Sequence, residues 1–147
     1  MNMKNIYTIM MEIGRNPMLK IVVFAVVFDT FFGCMRAIRQ RCFNSCVGID
    51  GAIRKISMIM SLIGLAIVDM MIKVNLIGFI PEEVREYLPC QVVGFMEFFA
   101  IVYIAYEAVS ILKNMYLSGL PVKKIWILVK KFLGTYTDEL PDDDGII

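Results

Sequence analysis

The side chains with chemistry to offer are carboxylates set where solvent is scarce: Asp29, Asp69, Glu97 and Glu107 each interrupt a long apolar stretch. An ionised acid in hydrocarbon costs roughly 2.5–3.5 kcal/mol even on the lenient insertion scale, so four facing lipid would cost on the order of 10–14 kcal/mol. They must be paired, protonated, or turned toward protein or water. Lys73 stands four residues after Asp69, the spacing of a helical ion pair, and Arg36 follows Asp29 by two turns. Glu107, Ser110 and Asn114 recur at i, i+3 and i+7 and form one polar ridge on a helix, able to hydrogen-bond a neighbouring helix or face water. This set suits ion pairing and helix contact rather than bond-making. With no histidine, the usual general base and the commonest metal ligand are both missing. No nucleophile–base pair is spaced for catalysis, and Cys34, Cys42, Cys46 and Cys90 contain no CxxC pair. Neither an enzyme, a cofactor nor a metal site is expected.

The elements that hold these residues must be membrane helices. Of 147 residues 59% are hydrophobic and 20% charged, against about 45–50% and about 25% in a soluble domain. The net charge of +1 gives no nucleic-acid footprint. The length allows one domain. A spanning helix needs about 20 mostly apolar residues, and three stretches approach that: 19–35, 56–80 and 90–112. The runs are continuous rather than alternating, which excludes a barrel. Asp29 inside the first stretch, with no A-x-A site after it, marks a retained helix rather than a cleaved signal. The fold class is therefore an all-α integral membrane protein with three transmembrane helices. It divides into an N-terminal amphipathic segment (1–17), the three-helix domain (18–112), a basic amphipathic helix (113–135) and an acidic, disordered tail (136–147).

Orientation follows from loop charge. Arg36, Arg39, Arg41, Arg54 and Lys55 lie between the first two spans, and Glu82, Glu83 and Glu86 between the second and third. Basic loops stay in the cytoplasm, which places the N-terminus outside and the C-terminus inside. At ~1.5 Å per residue, Asp69 and Glu97 then fall in the outer half and Glu107 near the inner end. Lys123, Lys124, Lys130 and Lys131 share one face of residues 121–133, opposite an apolar face with Trp126 at its boundary. That pattern fits a helix lying flat on anionic headgroups. Small residues make two stripes, Ser57, Ser61, Gly64 and Val68 on the second span and Ala25, Asp29 and Gly33 on the first, where helix backbones can approach within one chain or between copies.

Several of these residues also resemble a known family, the toxin-secretion and phage-lysis holins of Gram-positive bacteria and their phages. Asp29-Thr-Phe-Phe-Gly33 followed by Arg36-Ala37 is similar to the family's D-x-x-x-G and K/R-A pattern. The loop from Ser45 through Gly48, Gly51 and Arg54-Lys55 resembles its serine, paired-glycine and basic-pair element. Asp69 matches the acid of the second helix. Glu107, Ser110 and Asn114, then Gly119-Leu120-Pro121, resemble E-x-x-S-x-x-x-N followed by glycine, leucine or isoleucine, and proline. Tyr106 and Lys113 depart from the family's usual Asn and Glu. The resemblance covers about residues 25–125. It implies a bacterial cytoplasmic membrane protein that oligomerises into lesions and lets an endolysin or large toxin out. An antiholin is a further partner the resemblance allows, although a second start at Met3 would remove only the uncharged Asn2 and so supplies no charge-based inhibitor. The rival readings are an accessory subunit of a larger membrane complex and a small-solute channel.

Overall fold

The computed structural model describes residues 3–41, 45–87 and 92–134. Its helices are α1 (Met3–Arg15), α2 (Pro17–Gln40), α3 (Ser45–Ile72), α4 (Glu82–Arg85), α5 (Phe95–Leu117) and α6 (Lys123–Gly134), with no strand among the described residues. Three of them, Pro17–Gln40, Gly48–Ile72 and Phe95–Leu117, are long and apolar enough to cross a membrane. The acidic tail and Cys42 and Cys90 lie outside the described residues.

Helix ends explain where these spans depart from the apolar runs. Asn16 starts α2, its Oδ1 accepting from the backbone N–H of Met18 at 2.8 Å, while Pro17 takes the first helical position, where no N–H is needed. The helix runs past Met35 to Gln40 and stops at Arg41, left-handed at φ 53°. The second span ends at Ile72, not at Ile80. Lys73 turns left-handed at φ 54°, and the Asn75 side chain then accepts from the backbone N–H groups of Ile77 and Val93. Apolar residues 76–80 therefore form turns beside the start of α5, because an asparagine offers their backbone an alternative to the helix ladder. At its other end the same helix begins at Ser45, so Arg54 and Lys55 are helical rather than part of a loop. The third span is displaced by five residues, Phe95–Leu117 in place of 90–112.

The principal packing pair is α2 with α5. α3 leans on α5 more than on α2, α1 lies across α2 and α3, and α6 rests on α5. Val22, Leu62, Met96 and Ala100 are the most enclosed apolar residues, and Ile13 of α1 joins them, so the N-terminal helix contributes to the core as well as to the surface. Phe24 and Phe28 stand exposed along α2, stacked with ring centroids 5.2 Å apart, and half-buried Phe32 meets Phe28 edge-on at the same distance; Ile56, Met60 and Met71 stand exposed on α3. Helices apolar on every side are helices that face lipid. Between such helices close contact comes from small residues and shape rather than from expulsion of water. Ala25 is buried against this core, and Gly33 lies 3.7 Å, measured from its would-be Cβ, from the Asn114 amide. By contrast Gly64 meets nothing within 4 Å and Ser57 is exposed, so at these two positions the stripe on α3 is open within one chain, while Ser61 of the same stripe bonds Tyr103 of α5.

Ala100 is fully enclosed, which makes it a direct test of this close approach. Ala100→Leu should keep the helical circular dichroism in detergent while lowering stability by about 1–3 kcal/mol, the usual cost of overpacking, read as a lower thermal midpoint.

Candidate functional site

Polar side chains join the three long helices at two levels. The first is the acidic end, where α3 finishes and α5 begins. The first turn of any helix leaves backbone N–H groups without intrahelical partners, and here two carboxylates supply acceptors. Asp69 accepts from Phe95 at 3.0 Å and from Met96 at 2.7 Å. Glu97 accepts from Gly94 at 2.9 Å with one oxygen and from the Asn16 amide at 2.8 Å with the other. Gly94 is needed there because a Cβ would lie 2.5 Å from Asp69 Oδ2. The pairing of Asp69 with Lys73 that the i, i+4 spacing suggested is replaced: Asp69 spends both oxygens on the start of α5, and Lys73 has already left the helix. An open cleft of about 400 Å³ borders this end, lined in part by Glu12, Asn16, Lys73 and Val92.

The second level lies mid-span. Asp29 of α2 and Glu107 of α5 each sit twelve residues from the acidic-end start of their helices, about 18 Å along. Glu107 is thus deep in the bundle instead of near the inner end, because α5 starts and stops later than its apolar run. Asp29 is 5% and Glu107 1% exposed. What brings them together is Lys55, which no spacing rule pointed to. Its ammonium lies 2.7 Å from Asp29 Oδ2 and 4.0 Å from Glu107 Oε2. It also donates to the Thr30 hydroxyl at 2.7 Å and to the Val26 carbonyl at 3.3 Å. Asn114 donates to Asp29 Oδ1 at 2.9 Å and accepts from Arg36 at 3.4 Å. The expected neighbour of Asp29 on its own helix, Arg36, is therefore joined to it through Asn114.

The ridge of Glu107, Ser110 and Asn114 takes the first of its two options in this chain. Glu107 and Asn114 are buried toward α2, and Ser110 is half-buried beside them. Asn114 has full employment; Glu107 does not. Neither of its carboxylate oxygens has a hydrogen-bond partner among the described residues, and the Lys55 ammonium stands at the edge of ion-pair range. Nearby, Arg54 lies over the ring of Tyr106, 5.5 Å from its centroid, a cation–π contact that keeps the guanidinium beside α5. Between the two levels, Ser61 shares a 2.9 Å hydrogen bond with Tyr103.

At the basic end α6 corrects one expectation from the sequence. Trp126 is 4% exposed and stacks on Tyr116, centroids 6.1 Å apart, so it faces the bundle rather than an interface with headgroups. The apolar residues left outward are Ile125, Leu128 and Phe132, and also Ile127, which falls among the exposed Lys123, Lys124 and Lys131.

Breaking a buried ion pair from one side strands the other charge and costs on the order of 3–5 kcal/mol. Lys55→Met should therefore destabilise far more than Lys55→Met combined with Asp29→Asn and Glu107→Gln, which leaves no charge behind. Equal losses in chemical denaturation would show that Lys55 does not neutralise the two acids. At the other level, Asp69→Ala should cost about 1–2 kcal/mol, as a helix cap does, and should be additive with changes at Lys55.

The polar levels fall within a region shared with known proteins. The model of the bacteriophage holin family matches residues 8–135, which takes in Asp29, Lys55, Asp69, Glu97, Glu107 and Asn114. Over 133 residues the chain is 43% identical to the holin-like protein TcdE of Clostridioides difficile, an alignment that spans 90% of this chain and 80% of that protein. No solved structure matches it. Extent of match, degree of identity and three helices able to span a bilayer agree: the chain belongs to the bacteriophage holin family and is a multi-pass holin of the bacterial cytoplasmic membrane.

Proposed function

We propose that copies of this chain accumulate in the cytoplasmic membrane and then assemble into lesions wide enough for an endolysin or a large toxin to leave the cell. The carrying observation is Glu107, a carboxylate 1% exposed, mid-span, with neither oxygen hydrogen-bonded among the described residues and Lys55 4.0 Å away. A single chain keeps Asp29 and Glu107 out of lipid only by holding α3 in place through Lys55. An assembly has another way to meet the same cost, which is to turn these acids toward subunit contacts or a water-lined lumen. The difference between the two arrangements supplies the threshold: each chain is tolerable alone, and the assembly is favoured once density brings copies together. The open stripe of Ser57 and Gly64 on α3 offers the face through which copies approach.

In this arrangement the N-terminus is outside and the C-terminus inside. The carboxylates of 82–86 lie on the outer side, and Arg36, Arg39, Arg54 and the lysines of α6 on the inner side. α6 lies along the inner leaflet, with Ile125, Leu128 and Phe132 at the acyl boundary and Lys123, Lys124, Lys130 and Lys131 among anionic headgroups. The activity needs no catalysis. Asp69 and Glu97 act as helix caps, and Gly33 as a packing position, in support of the bundle.

The direct experiment is inducible expression in a bacterium that holds a cytoplasmic endolysin lacking its own export signal, with membrane potential and turbidity followed together. The expected result is abrupt depolarisation followed by lysis that requires the endolysin. Depolarisation without lysis would mean a small-solute channel, and growth at full potential an accessory subunit. Within a lytic result, Glu107→Gln should delay onset, because it removes the stranded charge that makes the single chain costly, and Lys55→Gln should hasten it. A purely structural role for the cluster would move both variants the same way.

A further inference from the structure

Beyond the level of Asp29 and Glu107, the basic end carries cations with little to balance them. Among the described residues its acids reduce to Asp50, while Arg36, Arg39 and Lys113 gather where α2 packs on the end of α5, and Lys123 and Lys124 open α6 just beyond. None of these five pairs with a carboxylate among the described residues. Lys113, half-buried on α5, is close enough to Arg36 for the two like charges to act on each other. Cations crowded together without an acid are costly unless an anion joins them. We propose that this elbow is a seat for the phosphate of an anionic phospholipid headgroup, held by Arg36, Arg39 and Lys113.

Three further observations support the seat. The first is depth. Counted from the acidic-end starts of α2 and α5, Lys113 lies eighteen residues along, Arg36 nineteen and Arg39 twenty-two, or about 27, 28 and 33 Å. A hydrocarbon core is about 30 Å thick, with headgroups beyond it, so the three cations straddle the hydrocarbon boundary, from which long basic side chains reach the phosphates. The second is pre-organisation. Arg39 donates to the Ser118 carbonyl, which covers the negative end of α5. Its guanidinium lies against Gly119, where φ is +73° and a Cβ would approach Nη2 within 2.8 Å. Arg36 is steadied by Gln40 at 3.2 Å and by Asn114. Both guanidinium groups keep donors to spare, and an arginine fork matches a phosphate. The third is unspent polarity at the same place. The Ser118 hydroxyl is buried, 2% exposed, with no hydrogen-bond partner among the described residues, and α6 begins here with the free N–H groups of a helix start. A lipid is favoured over a soluble phosphate because the outward apolar residues of α6, Ile125, Leu128 and Phe132, offer its acyl chains a surface beside the seat.

This inference rests on the reading of the chain as a membrane-spanning holin, but not on its topology, its lesion or its cargo. It is therefore tested in detergent on the full chain, without a lysis assay. Trp126 is the single tryptophan, and it stacks on Tyr116 at the elbow, so its emission reports occupancy. Short-chain phosphatidylglycerol should change that emission saturably, and phosphatidylcholine with the same acyl chains should not. Diffuse attraction is worth about fivefold per basic residue wherever the residue lies. The seat predicts instead that Arg36→Gln with Arg39→Gln weakens phosphatidylglycerol about 100-fold, well past that allowance, while Lys123→Gln with Lys124→Gln stays within about fivefold. Arg39→Lys keeps the charge and loses the fork, and should still weaken binding about tenfold. Gly119→Ala displaces the guanidinium without touching any charge and should act in the same direction, which keeps the test open if the glutamine pair fails to fold. Losses that follow charge alone, equal affinity for phosphatidylcholine, or displacement of the lipid by millimolar inorganic phosphate would each overturn the proposal. A lytic chain without the seat, or a seat in a chain that never lyses, separates this failure from that of the proposed function.

Discussion

A charge in hydrocarbon has no water to fall back on, so wherever it stands the protein must answer for it. Here one ammonium answers for two carboxylates. Lys55 reaches Asp29 at 2.7 Å and Glu107 at 4.0 Å from a helix that otherwise packs lightly against the α2–α5 pair. Its level follows from the others: Lys55 lies seventeen residues from the acidic-end terminus of α3, whereas Asp29 and Glu107 lie twelve from theirs. The long side chain bridges the offset, its ammonium also donating to Thr30 and to the Val26 carbonyl of α2. The position of α3, the burial of Glu107 and the use of Asn114 as a link to Arg36 all depend on that reach.

Much of this was legible in the sequence, and what was not has physical reasons. The three spans, the polar ridge on α5 and the basic C-terminal helix follow from hydropathy and helical period. Helix ends did not, because hydropathy sees apolar residues 76–80 as more span and cannot see Asn75 take up the backbone of Ile77 and Val93. The same blindness placed Lys55 in a loop. Gly48 and Gly51 weaken a helix, and basic residues suggest solvent, yet α3 continues through them to Ser45. Asp29 and Lys55 are twenty-six residues apart and on different helices, so no local spacing relates them. Asp69 was visible as a misplaced acid, but its i, i+4 neighbour was the wrong partner. A helix start offers a carboxylate two fixed donors, and at 2.7 and 3.0 Å these outcompete a flexible lysine.

The two ends of the bundle solve the same problem with opposite signs. At the acidic end, carboxylates cap the positive start of α5, and Gly94 gives them room. At the basic end, Arg39 covers the negative finish of α5, and Gly119 gives it room. Each glycine is small because a charged group from α2 or α3 must lie against the backbone there. The same device, a charge against a helix end with a glycine beside it, thus serves packing at both ends of the bundle.

The uneven attachment of α3 has a mechanical consequence. Among the described residues its polar fastenings are Lys55 with Asp29, Arg54 over Tyr106, Ser61 with Tyr103, and Asp69 with the start of α5. If Lys55 and its neighbour Arg54 let go, the two that remain lie on the acidic side, and α3 becomes a lever with its free arm on the basic side. From Ser61 to Ser45 that arm is sixteen residues, about 24 Å long. A tilt of about 20°, ordinary for a membrane helix, carries its tip roughly 8 Å sideways. The bundle is thus built to part at one end like a splayed pair of tongs, while its other end stays jointed.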